Sequence, residues 1–219
     1  LHQIGNLRDH NSHWLLTHVY DEARPARPAL NGEPYYPGWP PGTTIAPDSA
    51  EADLGARSGM YGSLLSGGLA GHFYGSVGLW GGDVEPEAPW KTWQALTFRS
   101  GAQMEHLGAL ARSLGTRLQE LEPHADYVYP NKDGAVRGNR GWAYCAATGD
   151  RRLVLVYREA DCPPLTLRAM PHGAEYALTW FDPRTGAWHA AGAARVDVYS
   201  EMHLPDPPTG EDWLLRLTQ

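Results

Sequence analysis

Glu33 is the side chain in this sequence best placed to do chemistry. It lies in Ala29-Leu-Asn-Gly-Glu-Pro-Tyr-Tyr36, where a short apolar start is followed by Asn31, Gly32 and an acidic residue directly before Pro34. Proline disfavours continued regular structure in the residue before it, so the pattern predicts a strand that ends with Glu33 at its mouth. In an α/β barrel the C-terminal strand ends carry the chemistry, and a carboxylate there can act as nucleophile, base or acid. Tyr35, Tyr36 and Trp39 crowd in behind it, and such amphipathic rings suit a sugar platform. The competing reading is a turn glutamate that caps a helix or meets an arginine.

Several other residues could join such a site. Asn31 and His72 are candidates to bond a sugar or Glu33, with ordinary satisfied polar residues behind the strands as the alternative; a strand-start position puts His72 toward the far end of a barrel. Trp80, at the end of a strand, would form the floor of a sugar pocket, or else pack in the core. Asp83, in the turn after it, is the local second carboxylate, although a solvated turn aspartate is the simpler account. Arg57 could hold a carboxylate, against the plainer expectation of an ordinary helix salt bridge. Trp180, Asp182, Arg184 and Gly186 cluster in sequence, but Asp-Pro-Arg-Thr-Gly between strands is first of all a hairpin turn. Cys145 and Cys162 lack metal-ligand spacing, and either a single bridge or two buried thiols fits them.

The elements that must position these residues divide the chain in two. Leu1 to Gly5 reads as a short strand, and Ser12 to Tyr20 as a helix with Trp14, Leu15 and Val19 on one face. The Glu33 strand follows, and its loop, Pro37 to Pro47, holds four Pro and two Gly. Asp53 to Ser66 predicts a helix rich in small residues, and Gly71 to Trp80 a strand whose glycines allow close backbone approach. From Thr92 a long amphipathic helix is expected, with Met104, Leu107, Leu110, Ala111, Leu114, Leu118 and Leu121 along its buried stripe. Strand and helix alternate through residues 1–122, the signature of a parallel sheet. A full eight-fold barrel takes roughly 250 residues, so only its last three units fit.

After Pro123 the period becomes alternating. Trp142 to Ala147, Arg152 to Tyr157, Leu165 to Ala169, Tyr176 to Phe181, Trp188 to Ala191, Val196 to Tyr199 and Trp213 to Leu217 read as short strands. Residues 123–219 therefore describe an antiparallel β-sandwich. The fold class is α/β plus all-β: C-terminal units of a (β/α)8 TIM barrel, then the sandwich.

Composition narrows the function. The 219 residues are 42% hydrophobic and carry a formal charge of -7, from 18 Lys and Arg against 25 Asp and Glu. Phosphate binding needs a concentrated basic surface, so no nucleic-acid partner is expected. No run nears the roughly 18 apolar residues that span a bilayer, and the N-terminus lacks a basic start and an apolar h-region, so no membrane partner is expected either. Nine Trp and eleven Tyr against three Phe suit interfaces and carbohydrate stacking, with half-buried core aromatics as the plainer account for most of them. No cofactor or metal is expected. The chain opens in strand-like sequence without Met, which suggests that something has been removed upstream, and a barrel lacking five units predicts poor solubility, partial disorder or completion by a second copy.

Three blocks resemble a known family. Arg57-Ser-Gly-Met-Tyr-Gly-Ser-Leu-Leu-Ser-Gly-Gly-Leu-Ala-Gly-His-Phe-Tyr-Gly75, the strand end at Trp80, and Pro89-Trp90 before Gly101-Ala-Gln-Met104 are similar to the closing part of the apiosidase-like glycoside hydrolases. Trp180-Phe-Asp-Pro-Arg-Thr-Gly186 and Asp212-Trp-Leu-Leu215 resemble the module labelled a collagen-binding domain that follows that barrel. The resemblance covers nearly the whole chain. It implies a retaining glycoside hydrolase acting on polysaccharide side chains, with Glu33 as nucleophile at the seventh strand and Asn31, Tyr35, Trp80, His72 and Gln3 toward a carbohydrate substrate. Gln3-Ile-Gly-Asn6 stands where that family commonly has a Gln-Ser-Gly-His type motif at strand six. The family's acid/base is an aspartate at the fourth strand, which this chain does not contain. Secretion or a periplasmic location fits such substrates. The alternative is a non-catalytic glycan- or collagen-binding module, which exposed coplanar tryptophans on one sandwich face would favour.

Overall fold

The structure, a computed structural model, describes residues 16–18, 20–21, 29–40, 42–130 and 140–219. The expected first strand with Gln3, and residues 12–15 and 19 of the expected first helix, lie outside the described residues; residues 16–18 and 20–21 are helical.

Helix α1 spans Ala50–Leu65, three residues earlier than the sequence pattern predicts. Ser49 sets that start, its Oγ accepting from the Ala52 N–H at 3.2 Å, with Glu51 and Asp53 favourably placed in the first turn. Its small residues let it sink in on nearly every side. The helix expected from Thr92 to Leu121 is broken into α2, Thr92–Ala95, α3, Arg99–Leu114, and a 3-10 turn over Gly115–Glu120. Between the first two, Phe98 takes an extended backbone and buries its ring against the edge of Trp90 at 5.4 Å. Leu121, the expected last residue of the helical stripe, is instead in strand β1, Leu121–Pro123.

The remaining strands are β2, Val128–Tyr129; β3, Ala143–Thr148; β4, Leu153–Arg158; β5, Thr166–Leu167; β6, Glu175–Phe181; β7, Trp188–Arg195; β8, Met202–His203; and β9, Trp213–Thr218. They form a six-stranded antiparallel sheet in the order β1-β3-β4-β9-β6-β7 and a three-stranded one, β2-β5-β8. The strand expected over Val196 to Tyr199 is not formed: Asp197 Oδ1 accepts the N–H groups of Tyr199 and Glu201, each at 2.8 Å, and this turn delays the strand to Met202. The Asp182 to Gly186 stretch is the expected tight turn, with Gly186 at φ +73° donating to the Asp182 carbonyl at 2.8 Å.

The central strands of the large sheet are buried on both faces, while its edge strand β7 is largely exposed. Cys145, Val154, Val156, Leu178, Trp180 and Leu215 point toward the small sheet, while Tyr144, Leu155, Tyr157, Phe181 and Leu214 pack under Met60, Tyr61 and Leu64 of α1 and Leu110 of α3. Every residue of β3 and β4 is therefore buried. Tyr61 stacks on Tyr157 with ring centroids 5.1 Å apart.

A buried polar cluster crosses the same seam. Arg57 on α1 donates from Nε and Nη2 to the two Asp212 oxygens at 2.9 and 2.7 Å and from Nη1 to Gln103 Oε1 at 2.9 Å, while the Tyr157 hydroxyl donates to Asp212 at 2.9 Å. The expectation of an ordinary helix salt bridge at Arg57 is corrected, because its partner lies 155 residues away and neither side chain meets solvent. Burial works against the Arg57 charge, but Asp212 more than restores it, and the guanidinium pKa lies above its usual value.

Cys145 and Cys162 are both free and buried. Burial raises the Cys162 thiol to about 11 and the Cys145 thiol further still. Neither should react with a thiol-specific disulfide reagent in the native protein, and both should react in guanidinium; rapid native labelling would contradict this placement.

Candidate active site

Residues 29–37 and 70–77 run side by side. The Ala70 N–H donates to Ala29 O at 3.0 Å, Asn31 and His72 form a parallel bridge, and the Val77 N–H donates to Pro37 O at 3.1 Å. The expected strands at Glu33 and over Gly71 to Trp80 are thus reduced to one bridge, because turns take over at Pro37 and Val77.

Asn31 holds the turn that presents Glu33. Its Nδ2 donates to Ser63 Oγ on α1 at 2.9 Å, and its Oδ1 accepts from the Glu33 N–H at 3.3 Å. The Asn31 amide is buried at 2% exposure, so its bonding is directed to Glu33 and α1 rather than to an open cleft. Glu33 is half-buried. Burial, and after it the nearby Glu33 carboxylate, raises the pKa of the Tyr36 phenol.

Tyr36 links Glu33 to an aromatic platform. Its ring stacks with Trp80 at 6.4 Å and 28°, and Trp39 meets Trp80 edge-on at 5.7 Å. A Cβ on Gly75 would lie 3.0 Å from the Tyr36 ring, so glycine permits this close approach of backbone to ring. Trp80 is 66% exposed, and with Tyr36, Trp39, Ser76, Asp83 and Trp90 it lines a hollow of about 310 Å³. The far wall is held by the Thr92 N–H donating to Asp83 O at 2.9 Å and by Lys91 Nζ, which donates to the carbonyls of Glu85, Pro86 and Ala88.

The structure therefore brings Trp80, Asp83 and Tyr36 together around this hollow, whereas Glu33 is not among its lining residues and bears on it through its charge on Tyr36. Tyr35 is not on the platform but buried at 5% exposure. Period-two alternation past the Pro34 break does not tell which of two consecutive tyrosines turns outward, and Trp90 carries no local signal beyond its type. Gln3 lies outside the described residues.

His72 faces away from this platform. It lines an apolar cavity of about 230 Å³ with Met60, Leu64, Met104 and Leu107, between α1 and α3. Its Nδ1 is buried without a hydrogen-bond partner, and burial lowers its pKa to about 4. The unfolded chain takes up a proton near pH 6.5, which the folded one refuses until about pH 4. Stability should therefore fall as the pH drops through that window, by up to about 3 kcal/mol from this residue. His72→Phe should flatten the difference between urea midpoints at pH 7 and pH 4.5; an unchanged difference would exclude His72 as its source.

The family model described as "Apiosidase-like, catalytic domain" matches residues 1–117, and that described as "Putative collagen-binding domain of a collagenase" matches residues 132–218. Among solved structures, one titled "Glycoside hydrolase" superposes with a TM-score of 0.71 at 18% identity, over 95% of this chain and 46% of that one. A glycoside hydrolase family 5 structure from Bacteroides vulgatus ATCC 8482 superposes with a TM-score of 0.74 at 17% identity, over 95% of this chain and 45% of that one. The chain thus spans less than half the length of either. No curated protein matches it.

Proposed function

This chain belongs to the apiosidase-like glycoside hydrolase family, and from that premise we propose that it is the closing part of a barrel-type retaining glycosidase whose nucleophile is Glu33. The observation that carries the reading is the Asn31-held turn that presents Glu33, close enough to Tyr36 for its charge to raise the phenol's pKa, next to the aromatic platform where the Tyr36 ring stacks with the exposed Trp80. The parallel run of residues 29–37 beside 70–77 supports two neighbouring barrel strands with α1 between them in sequence. The barrel part ends near residue 122 and the sandwich follows, in keeping with β1 pairing into the large sheet from Leu121.

In this mechanism the Glu33 carboxylate attacks the anomeric carbon while a second carboxylic acid protonates the leaving oxygen. Water then cleaves the glycosyl-enzyme ester with the second group acting as base. Retention requires the two carboxyl groups about 5 to 5.5 Å apart. The partner acid is supplied by the fourth strand of the intact enzyme. Asp83 lines the hollow, yet its backbone is engaged in closing the 78–92 loop and its role is to shape the wall. Trp80 offers an apolar ring face to the C–H face of a sugar.

The sandwich serves as a buttress. Trp180 and Trp213 are core residues, and Trp188 lies beneath the Arg216 guanidinium at 4.0 Å, so the described sandwich residues offer no pair of open coplanar indoles for a binding-module reading. Proton NMR of the first-formed product from an activated glycoside tests the mechanism: the substrate's own anomeric configuration is expected, and inversion would overturn Glu33 as nucleophile.

A further inference from the structure

Helix α3 stops before it has covered the large sheet. Gly115, at φ +56°, turns the chain into the 3-10 segment after Leu114. Beyond that end, Arg216 and Thr218 of β9 stand on the helix-facing side of the sheet, paired with Leu155 and Leu153 of β4. The gap is a hollow of about 370 Å³ whose lining includes Ser113, Leu114, Arg117, Arg152, Arg216 and Thr218, and it shares no residue with the hollow at Trp80.

Three arginines thus meet at one hollow in a chain whose formal charge is -7. Arg117 is already paired: it donates to Thr148 Oγ1 and Asp150 Oδ1, each at 2.9 Å, and meets Glu120 at 3.2 Å. Arg152 and Arg216 have no ion pair with a carboxylate among the described residues. Arg216 is the more telling of the two. Its guanidinium lies over the Trp188 ring at 4.0 Å, its Nε is buried without a hydrogen-bond partner, and burial, with no carboxylate to offset it, lowers its pKa. A cation left in this state costs free energy until something accepts from it. A guanidinium donates in its own plane, so stacking one face on an indole leaves the N–H edge to meet an anion.

We propose that this hollow binds a small dianion, a dicarboxylate or a phosphate, between the guanidinium groups of Arg216 and Arg152. Two uncompensated positive charges set the ligand's charge, and the Thr218 hydroxyl is placed to donate to a further oxygen. A monoanion leaves one arginine unmet, and a third negative charge meets the carboxylates of Glu120 and Asp150 around Arg117. The hollow draws on α3, β4 and β9 together, so a bound dianion ties the end of the helix to the sheet. Nothing in this depends on the role of Glu33.

Titration calorimetry of the intact protein with succinate, inorganic phosphate and acetate, at an ionic strength held constant with sodium chloride, tests the site. Succinate or phosphate should bind with a Kd of about 1 mM or tighter and raise Tm, and acetate should bind at least about tenfold more weakly. The tighter of the two dianions identifies the oxyanion chemistry that the hollow fits. Arg152→Gln, at an exposed side chain, should weaken that dianion about tenfold, and Arg216→Lys, which keeps the charge but loses the planar fork, should do the same. Arg195→Gln removes an equal charge from the exposed strand β7 and should leave binding unchanged. Absence of binding by both dianions, acetate binding as tightly as they do, or equal losses in Arg195→Gln and Arg152→Gln would each overturn the site.

Discussion

Glu33→Gln in the intact enzyme is expected to lower turnover of an activated aryl glycoside by at least about a thousandfold, some 4 kcal/mol of transition-state stabilisation. The amide is nearly isosteric with the carboxylate but cannot deliver an electron pair to the anomeric carbon. The amide keeps the Glu33 backbone N–H bond to Asn31 Oδ1 that helps hold this turn. Glu33→Ala should be equally inactive but partly rescued by azide, a small anion that fits the vacated space and yields the glycosyl azide of inverted configuration. Activity within a few-fold of wild type would remove Glu33 from the chemistry. Loss of activity without azide rescue would move it from nucleophile to another role.

Asp212→Asn or Arg57→Ala should cost about 3 to 5 kcal/mol of unfolding free energy, read from urea transitions. Either change leaves a charge or a set of donors in a seam that water does not enter, and Tyr157 and Gln103 lose their partner groups as well. The double replacement Arg57→Leu with Asp212→Leu removes both charges and should recover most of the loss, which separates the cost of an orphaned charge from the net worth of the pair. A single replacement costing under 1 kcal/mol would mean that the seam admits water. The consequence reaches the site, because α1 carries Arg57 toward the sandwich and Ser63 toward Asn31. Loosening the seam is therefore expected to raise KM and lower kcat together before the protein unfolds.

Much of this was legible locally. The Asn-Gly-Glu-Pro stretch marked a turn with a carboxylate, the helical stripe of Met104 to Leu114 marked a buried face, and Asp182 to Gly186 marked a hairpin, each because its signal lies within a few residues. The alternating strands after residue 140 were readable for the same reason, although Asp197 diverted one of them by bonding its own following backbone. His72 illustrates the opposite case. Its type made it a candidate for the site and its strand-start position put it toward the far end of the barrel, and only the packing of α1 against α3 enclosed it in an apolar cavity.

The sequence by itself determined where chain direction changes, which faces are apolar and which carboxylate stands at a turn, since these follow from periodicity and backbone restriction over short windows. Only the tertiary structure decided that β3 and β4 of the large sheet are buried on both faces, that Arg57 belongs to Asp212, that Leu121 leaves its helical stripe for a strand, and that Tyr36 rather than Tyr35 meets Trp80. Each of those depends on a partner far away in the chain. Burial free energy, which selects among locally equivalent arrangements, is defined only once the distant surface that does the burying is in place.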